Sequence, residues 1–219
     1  MYLLIGRPQS ILDTKIDAPP FNANIRNRIP IAIIDDENFA YETLLREHSY
    51  NIRHFLDIDD VRSLEAFPVI LCDIRGVGKV LKSKYEGGHL IHEIRSHYPY
   101  KVIYAYSAYQ LDPSYNKYFQ MADRTLKKDI SLEDWISNFD DAVKMVIDPN
   151  FLWRRMRKKL FQEDIPICEI MKLEDQFVSF IRMKQPTFPN KKYSTNLPDK
   201  VKVLLNDFSE TLKILKTLL

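Results

Sequence analysis

Four short apolar runs, each ending in a polar side chain, do most to limit what this chain can fold into. Three are rich in β-branched residues and end at Asp36, Asp73 and Ser107, and a shorter fourth run ends at Lys128. In a parallel sheet, buried strands read as continuous apolar runs, and ligands gather at the carboxyl ends of those strands. The sequence therefore predicts an α/β fold in which these four side chains meet at one edge of a parallel sheet.

The order and spacing of these runs resemble those of the receiver (CheY-like) domain of two-component response regulators. Asp36 and Asp73 are 37 residues apart, Asp73 and Ser107 are 34 apart, and Ser107 and Lys128 are 21 apart. Each interval can hold a crossover helix, since parallel strands need about a dozen or more residues to connect. The resemblance covers roughly residues 29–147 and implies a flavodoxin-like (βα)5 receiver with a central five-stranded parallel sheet.

Apolar periodicity and capping residues place the elements of this domain. Strands are predicted at residues 31–35, 52–56, 69–72, 101–106 and 125–127. Helices are predicted at residues 38–48, 59–67, 89–98, 113–121 and 132–146. Asp59 or Asp60 is a plausible N-cap for the second of these helices, and Ser131 with Asp134 is close to a capping box for the last one.

The segments on either side of the receiver-like domain, residues 30–148, differ from it in character. Residues 1–29 contain several prolines and no sustained period, which predicts an extended N-terminal arm with a short strand at Tyr2–Ile5. Residues 149–219 predict an α-helical C-terminal region with helices near 150–162, 167–184 and 198–217. The last helix has a heptad seam too short for a coiled coil, which favours packing within a bundle. The seam consists of Val201, Leu205, Phe208, Leu212, Leu215 and Leu219.

The resemblance implies a role for each polar residue at the predicted sheet edge. Asp73 would be the phosphoacceptor, Ser107 would bind a phosphoryl oxygen, and Lys128 would balance the charge of the phosphoryl group. No catalytic residue is expected beyond these, so the protein is predicted not to be an enzyme apart from its own phosphorylation and dephosphorylation. The ligands implied for Mg²⁺ are Asp36, Asp73, Asp35 acting through water, and the backbone carbonyl of Arg75.

Two residues depart from the receiver pattern. The aromatic switch residue of many receivers is Thr125 here, and the proline that usually follows the lysine is Asp129. Thr125 argues against the usual aromatic relay, although Tyr104, Tyr106 and Tyr109 could supply a substitute ring. The loop after Asp73 is also long, and its segment 76–79 lacks the full phosphate-loop pattern. We interpret that segment as an active-site flap whose basic residues meet a phosphodonor or partner; these are Arg75, Lys79, Lys82 and Lys84.

Charge divides the chain into an acidic front and a basic tail. Residues 1–150 hold 18 Lys and Arg against 22 Asp and Glu, whereas residues 151–219 hold 14 against 8. The basic and aromatic segment 151–159 is compatible with nucleic-acid binding, but an amphipathic helix with a solvated basic face is the favoured interpretation. No apolar run reaches about 18 residues, and Cys72 and Cys168 lie in apolar surroundings. These features predict a cytoplasmic protein with no membrane association.

We therefore expect a response regulator of a phosphorelay that accepts a phosphoryl group on Asp73 and signals through its helical C-terminal region. Its expected partners are a sensor histidine kinase or phosphotransfer protein, and an effector or a second copy bound through residues 149–219. One alternative is a pseudo-receiver that serves as a protein-interaction module without phosphorylation. Another is a regulator whose basic tail binds nucleic acid.

Two enzyme classes on related folds do not match the motifs. A haloacid-dehalogenase-like phosphatase needs a second aspartate two residues after its nucleophile, and position 75 is arginine. A Toprim-like nuclease needs an Asp-x-Asp pair on a neighbouring strand, which residues 73–75 do not provide.

Overall fold

The computed structural model describes residues 9–11, 16–108, 113–182, 186–189 and 197–218. The chain divides into two compact units, Pro20–Val146 and a second unit built from Met1–Pro19 together with Ile147–Leu219. The predicted strand at Tyr2–Ile5 and the ring of Tyr109 lie outside the described residues.

Five parallel strands form the centre of the first unit. They are β1 (Pro30–Ile34), β2 (Asn51–Phe55), β3 (Val69–Asp73), β4 (Val102–Ser107) and β5 (Arg124–Lys127). Their order in the sheet is β2-β1-β3-β4-β5, with every neighbouring pair parallel. This order defines a flavodoxin-like fold and confirms the predicted fold class. All residues of β3 and β4 are buried, which explains their unbroken apolar runs.

Helices and short turns connect the strands. The first unit contains α1 (Ala23–Arg28), α2 (Glu42–Glu47), α3 (Glu86–His97), α4 (Asn116–Phe119) and α5 (Leu132–Ile147, whose last residue belongs to the second unit). Single 3-10 turns occur at Val61–Leu64, Lys79–Leu81 and Pro113–Tyr115. The Ser131 hydroxyl accepts the Asp134 N–H at 3.1 Å, as the capping pattern predicted for α5.

Three local predictions need correction. The prediction of an extended arm through residue 29 is wrong at residues 23–28, which form helix α1. Asn22 caps this helix by accepting the Ile25 N–H. The crossover from β2 to β3 has a 3-10 turn instead of a helix. The N–H groups of Ser63 and Glu65 bond the carbonyls of Asp60 and Arg62, three residues earlier, and Asp60 caps the turn by accepting the Arg62 N–H. Helix α2 starts later than predicted, at Glu42, because residues 39–42 form a turn in which the Glu42 N–H bonds the Phe39 carbonyl at 3.0 Å.

The second unit is helical, as predicted, with α6 (Pro149–Gln162), α7 (Ile167–Ile181) and α8 (Asp199–Lys216). Stacked rings link its helices, with centroids 5.1 Å apart for Trp153 and Phe177 and 6.0 Å apart for Phe177 and Phe208. The seam of α8 is buried at Val201, Leu205, Phe208, Leu212 and Leu215, while Leu219 lies outside the described residues. The seam therefore packs within this unit, as the sequence favoured.

The basic segment of α6 has one buried and one solvated face. Leu152, Trp153, Met156 and Leu160 are buried, whereas Arg154 and Lys158 are exposed. This distribution is that of an amphipathic helix. Within the described ranges, no helix combines the length and the apolar composition needed to cross a membrane.

Candidate functional site

Three carboxylates converge at the carboxyl edge of the sheet. Asp35 and Asp36 follow β1, and Asp73 ends β3, the strand that pairs with β1. Each offers one oxygen, and these oxygens lie within 4.8 Å of one another. Asp35 and Asp73 are only 1% and 5% exposed, whereas Asp36 is exposed. Negative charges crowded in this way repel one another, and the cluster could bind a metal ion.

The Lys128 ammonium joins the two buried carboxylates. Its Nζ lies 2.6 Å from Asp73 Oδ2 and 3.0 Å from Asp35 Oδ2. Lys128 follows directly after β5, while its neighbour Lys127 is exposed. The structure thus brings one lysine of the pair to the carboxylates.

Burial and ion pairing act in opposite directions on these charges. Burial raises the pKa of Asp73 above its ordinary value, and the hydrogen bonds from Lys128 and from the Arg75 N–H offset only part of this shift. Burial also disfavours the charge of Lys128, but its hydrogen bonds to Asp73 and Asp35 outweigh that cost, so the pKa of Lys128 is raised. The Lys128 ammonium therefore stays charged at neutral pH, and a further cation beside Asp73 would favour ionisation of its carboxyl group.

Tyr106 contributes a contact that the sequence did not predict. Its hydroxyl donates to Asp35 Oδ2 at 2.5 Å, and its side chain is fully buried. The ring packs edge-to-face on Phe39 and Trp135 with centroids 6.0 Å away in both cases. Burial, followed by the charge of Asp35, raises the pKa of Tyr106 well above its ordinary value, so the hydroxyl remains a donor. The sequence feature that could have predicted this contact is a tyrosine directly before the polar residue that ends a buried strand.

The loop after β3 is attached to the acidic cluster. Lys79 Nζ lies 2.9 Å from Asp36 Oδ2, although both side chains are substantially exposed. Asp57, which follows β2, accepts the N–H groups of Gly78 and Lys79 at 2.6 and 3.1 Å. Of the basic residues that the sequence assigned to a flap, Lys79 thus contacts the candidate site itself.

Two glycines, one in this loop and one in the first turn of α3, allow the backbone to approach the aspartates closely. A Cβ at Gly76, whose φ is +79°, would lie 2.1 Å from Asp36 Oδ1. A Cβ at Gly87, near the start of α3, would lie 1.9 Å from the Asp73 carbonyl oxygen. Between them, Glu86 Oε2 accepts the Gly76 N–H at 2.8 Å, although ten residues separate the two. The loop therefore packs against the Asp36 carboxylate, and the first turn of α3 packs against the backbone of Asp73.

The remaining predicted residues lie close to the same edge. Ser107 is buried at the end of β4, and its carbonyl accepts the Lys128 N–H at 3.1 Å. The Arg75 N–H donates to Asp73 Oδ1 at 3.2 Å, while its guanidinium lies over the Tyr115 ring. Thr125, at the position of the aromatic switch, is exposed on β5. Tyr104, one candidate replacement ring, is buried in β4 two residues before Tyr106.

Comparisons with known proteins found similarity among solved structures only. No protein-family model matches the sequence, and no curated protein matches it either. Solved structures do match. They include a CheY-like response regulator receiver domain from Methanospirillum hungatei JF-1, at 16% identity, covering 52% of this chain and 93% of that chain with a TM-score of 0.44. The receiver domain of NtrX from Brucella abortus matches at 18% identity over 52% of this chain and 98% of that chain, with a TM-score of 0.44.

The BeF3-activated receiver domain of RstA from Klebsiella pneumoniae gives similar values, at 16% identity over 52% of this chain and 97% of that chain, with a TM-score of 0.44. About half of this chain is thus similar in structure to CheY-like receiver domains, and much of the remainder is helical.

Proposed function

We propose that this protein is a response regulator whose receiver-like segment, residues 30–148, accepts a phosphoryl group on Asp73. The observation that carries the proposal is the Lys128 ammonium, held between Asp73 and Asp35 at the carboxyl edge of a flavodoxin-like sheet. A carboxylate nucleophile beside a fixed cation is an arrangement suited to phosphoryl transfer, which depends on positioning and charge neutralisation.

The carboxylate cluster fits Mg²⁺, which prefers hard oxygen ligands and retains several waters. Asp36 and Asp73 would bind the ion directly, Asp35 would act through water, and the Arg75 carbonyl would complete the protein ligands. Bound there, Mg²⁺ would neutralise charge on the phosphoryl oxygens. The burial of Asp35 and Asp73 supports this assignment, since buried carboxylates need compensating positive charge.

In the proposed reaction, an oxygen of the Asp73 carboxylate attacks the phosphorus of the donor. The bond from phosphorus to the leaving group breaks, and an acyl phosphate forms on Asp73. Lys128 is already within 2.6 Å of this carboxylate and would offset the added negative charge. Ser107 would hydrogen-bond a phosphoryl oxygen and draw the loop after β4 inward, which gives the modification a structural readout.

The helical region, residues 149–219, would provide the output. The proposed partners are a sensor histidine kinase or phosphotransfer protein in the cytoplasm, and an effector or second copy that binds the helices. The basic residues of α6 support this view over nucleic-acid binding, because Lys159 is paired with Glu163 at 2.8 Å and Arg157 lies 4.0 Å from Glu174.

One observation favours a second candidate, a pseudo-receiver that binds partners without phosphorylation. The Lys79 ammonium pairs with Asp36, one of the two proposed direct metal ligands. Thr125 and Asp129, which depart from the receiver pattern, point in the same direction.

Mass spectrometry of the intact protein separates the two candidates. The full chain is incubated with Mg²⁺ and acetyl phosphate, and we expect a mass increase of one phosphoryl group that Asp73→Asn abolishes. Asp129→Asn, at an exposed position outside the cluster, serves as the matched control and should be phosphorylated like the wild type. A wild-type protein that never gains the phosphoryl group under these conditions would support the pseudo-receiver.

A further inference from the structure

We propose that Glu86 is a positioning residue that orients the Arg75 carbonyl toward the metal; this inference rests on the proposed function. Glu86 begins α3, and its Oε2 accepts the Gly76 N–H at 2.8 Å. Glu86 lies outside the three-carboxylate cluster of Asp35, Asp36 and Asp73, so its effect would pass through the backbone.

The geometry of the peptide group connects Glu86 to Arg75. The Arg75 carbonyl and the Gly76 N–H belong to one peptide unit, which is planar and trans. In such a unit the C=O and N–H bonds point in opposite directions, so a partner that fixes the N–H also fixes the direction of the C=O. The Glu86 carboxylate bonds this N–H and thereby sets the direction of the proposed carbonyl ligand.

The other side of the same loop is fixed independently. The Arg75 N–H donates to Asp73 Oδ1, and Gly76 lies so close to Asp36 that any Cβ there would clash. Asp73 thus holds the Arg75 N–H, and Asp36 lies against Gly76; both aspartates are proposed metal ligands. The peptide group that joins residues 75 and 76 can still rotate, and we propose that the bond from its N–H to Glu86 limits this rotation. An acceptor at this position is therefore part of the geometry of the site.

The backbone at Glu86 is held in an uncommon conformation. Its φ is +44°, in the left-handed region that non-glycine residues rarely occupy. The next residue, Gly87, has no Cβ and so lets the helix start against the Asp73 carbonyl. Strained residues of this kind persist where the surrounding structure fixes them, and they cluster at functional sites. A glycine would adopt this φ more easily than a glutamate does.

Glu86 has two properties that a test must separate, its hydrogen-bond acceptor and its negative charge. Glu86→Gln keeps a carbonyl acceptor for the Gly76 N–H but removes the charge. Glu86→Ala removes both, and Glu86→Gly removes both while relieving the positive φ, so its fold is not expected to weaken. Glu93→Ala, on the solvent side of α3 and paired with His89, is the control outside the site.

Isothermal titration calorimetry of the full chain with MgCl₂ and MnCl₂ measures the metal affinity of each variant directly. Loss of an outer-shell partner typically weakens metal binding by about 10- to 100-fold, and we expect such a loss for Glu86→Ala and Glu86→Gly. Glu86→Gln should stay within about threefold of wild type, and Glu93→Ala should be unchanged. Thermal unfolding in EDTA checks that each variant is folded.

The outcomes are distinct. If Glu86→Gln weakens binding as much as Glu86→Ala, the effect is one of charge and the positioning role is overturned. If the wild type binds metal and Glu86→Gly binds equally well, the assignment of Glu86 fails while the proposed function stands. A wild-type protein that binds neither metal would remove the proposed function, and the role of Glu86 with it.

Discussion

Replacing Tyr106 by phenylalanine tests whether the buried Asp35 carboxylate depends on its hydroxyl donor. The Tyr106 hydroxyl donates to Asp35 Oδ2, and both side chains are buried in the first unit, Pro20–Val146, which contains the sheet and is called the sheet unit below. The substitution removes one oxygen atom and leaves the ring contacts with Phe39 and Trp135 in place. Asp35 would keep its bonds from Lys128 and from the Glu37 N–H. The change in stability therefore reports on one hydrogen bond to a charged group.

Hydrogen bonds to charged groups contribute about 1.5–3 kcal/mol, so we expect Tyr106→Phe to lower the free energy of unfolding by that amount. At a urea dependence of about 1–3 kcal/mol per molar, the unfolding midpoint would fall by roughly 1 M. Tyr104→Phe is the matched control. Tyr104 lies two residues earlier on the same strand and is equally buried, but its hydroxyl has no hydrogen-bond partner among the described residues. Removing that hydroxyl should leave stability unchanged or raise it.

Tryptophan fluorescence during urea unfolding in EDTA provides the assay. The chain has two tryptophans, Trp135 in the sheet unit and Trp153 in the helical unit. All variants are therefore made in a Trp153→Phe background, in which the emission reports on the sheet unit alone. If Tyr106→Phe and Tyr104→Phe unfold at the same urea concentration, the hydrogen bond from Tyr106 to Asp35 contributes nothing to stability. That result would refute the predicted loss.

Three further predictions concern the acidic cluster. Mg²⁺ that binds only the folded state should raise the free energy of unfolding by about 2.7 kcal/mol at 100 times its dissociation constant, and Asp36→Asn should abolish this gain in the same urea assay. Lys79→Met should tighten Mg²⁺ binding about 1.4- to 5-fold by calorimetry, since exposed ion pairs contribute about 0.2–1 kcal/mol; an unchanged affinity would show that Lys79 does not compete. In metal-free buffer, burial raises the pKa of Asp73, so the folded state keeps its proton to a higher pH than the unfolded chain, whose value is about 3.9. The contribution of Asp73 to stability thus falls as the pH rises from about 4, and Asp73→Asn, which cannot ionise, should gain stability relative to wild type toward pH 7.

The central strands β3 and β4 could be predicted from the sequence because they are parallel and all of their residues are buried. Val69–Asp73 and Val102–Ser107 are continuous apolar runs up to their last residue, and the structure places them within a residue or two of the predicted bounds. The crossover from β2 to β3 could not be predicted in the same way. Its length and apolar content suit a short helix as well as a turn, and the structure has a turn whose backbone bonds join residues three apart.

The approach of Asp35, Asp36, Asp73 and Lys128 follows from strand order alone, since parallel strands bring their carboxyl ends to one edge. The contacts of Tyr106, Lys79 and Glu86 depend on side-chain rotamers and on a loop that contains residues with positive φ. A sequence pattern records which residues are near the edge of a sheet. It does not record which way a tyrosine in a buried strand turns, or that a glutamate ten residues along the chain returns to the loop.

The bonds between the first described residues and α7 bear on how the protein is assembled during synthesis. The buried Glu174 Oε1 accepts both the Ser10 hydroxyl and the Ile11 N–H at 2.9 Å, within the unit that also contains α6 and α8. The sheet unit, Pro20–Val146, is therefore translated between the two segments that form the helical unit. Residues 10 and 11 can form their bonds to Glu174 only after α7 has been synthesised. A fragment of residues 147–219 alone would lack these two donors to Glu174, so we expect it to be less stable than the same fragment with the N-terminal residues supplied as a peptide or fused to it.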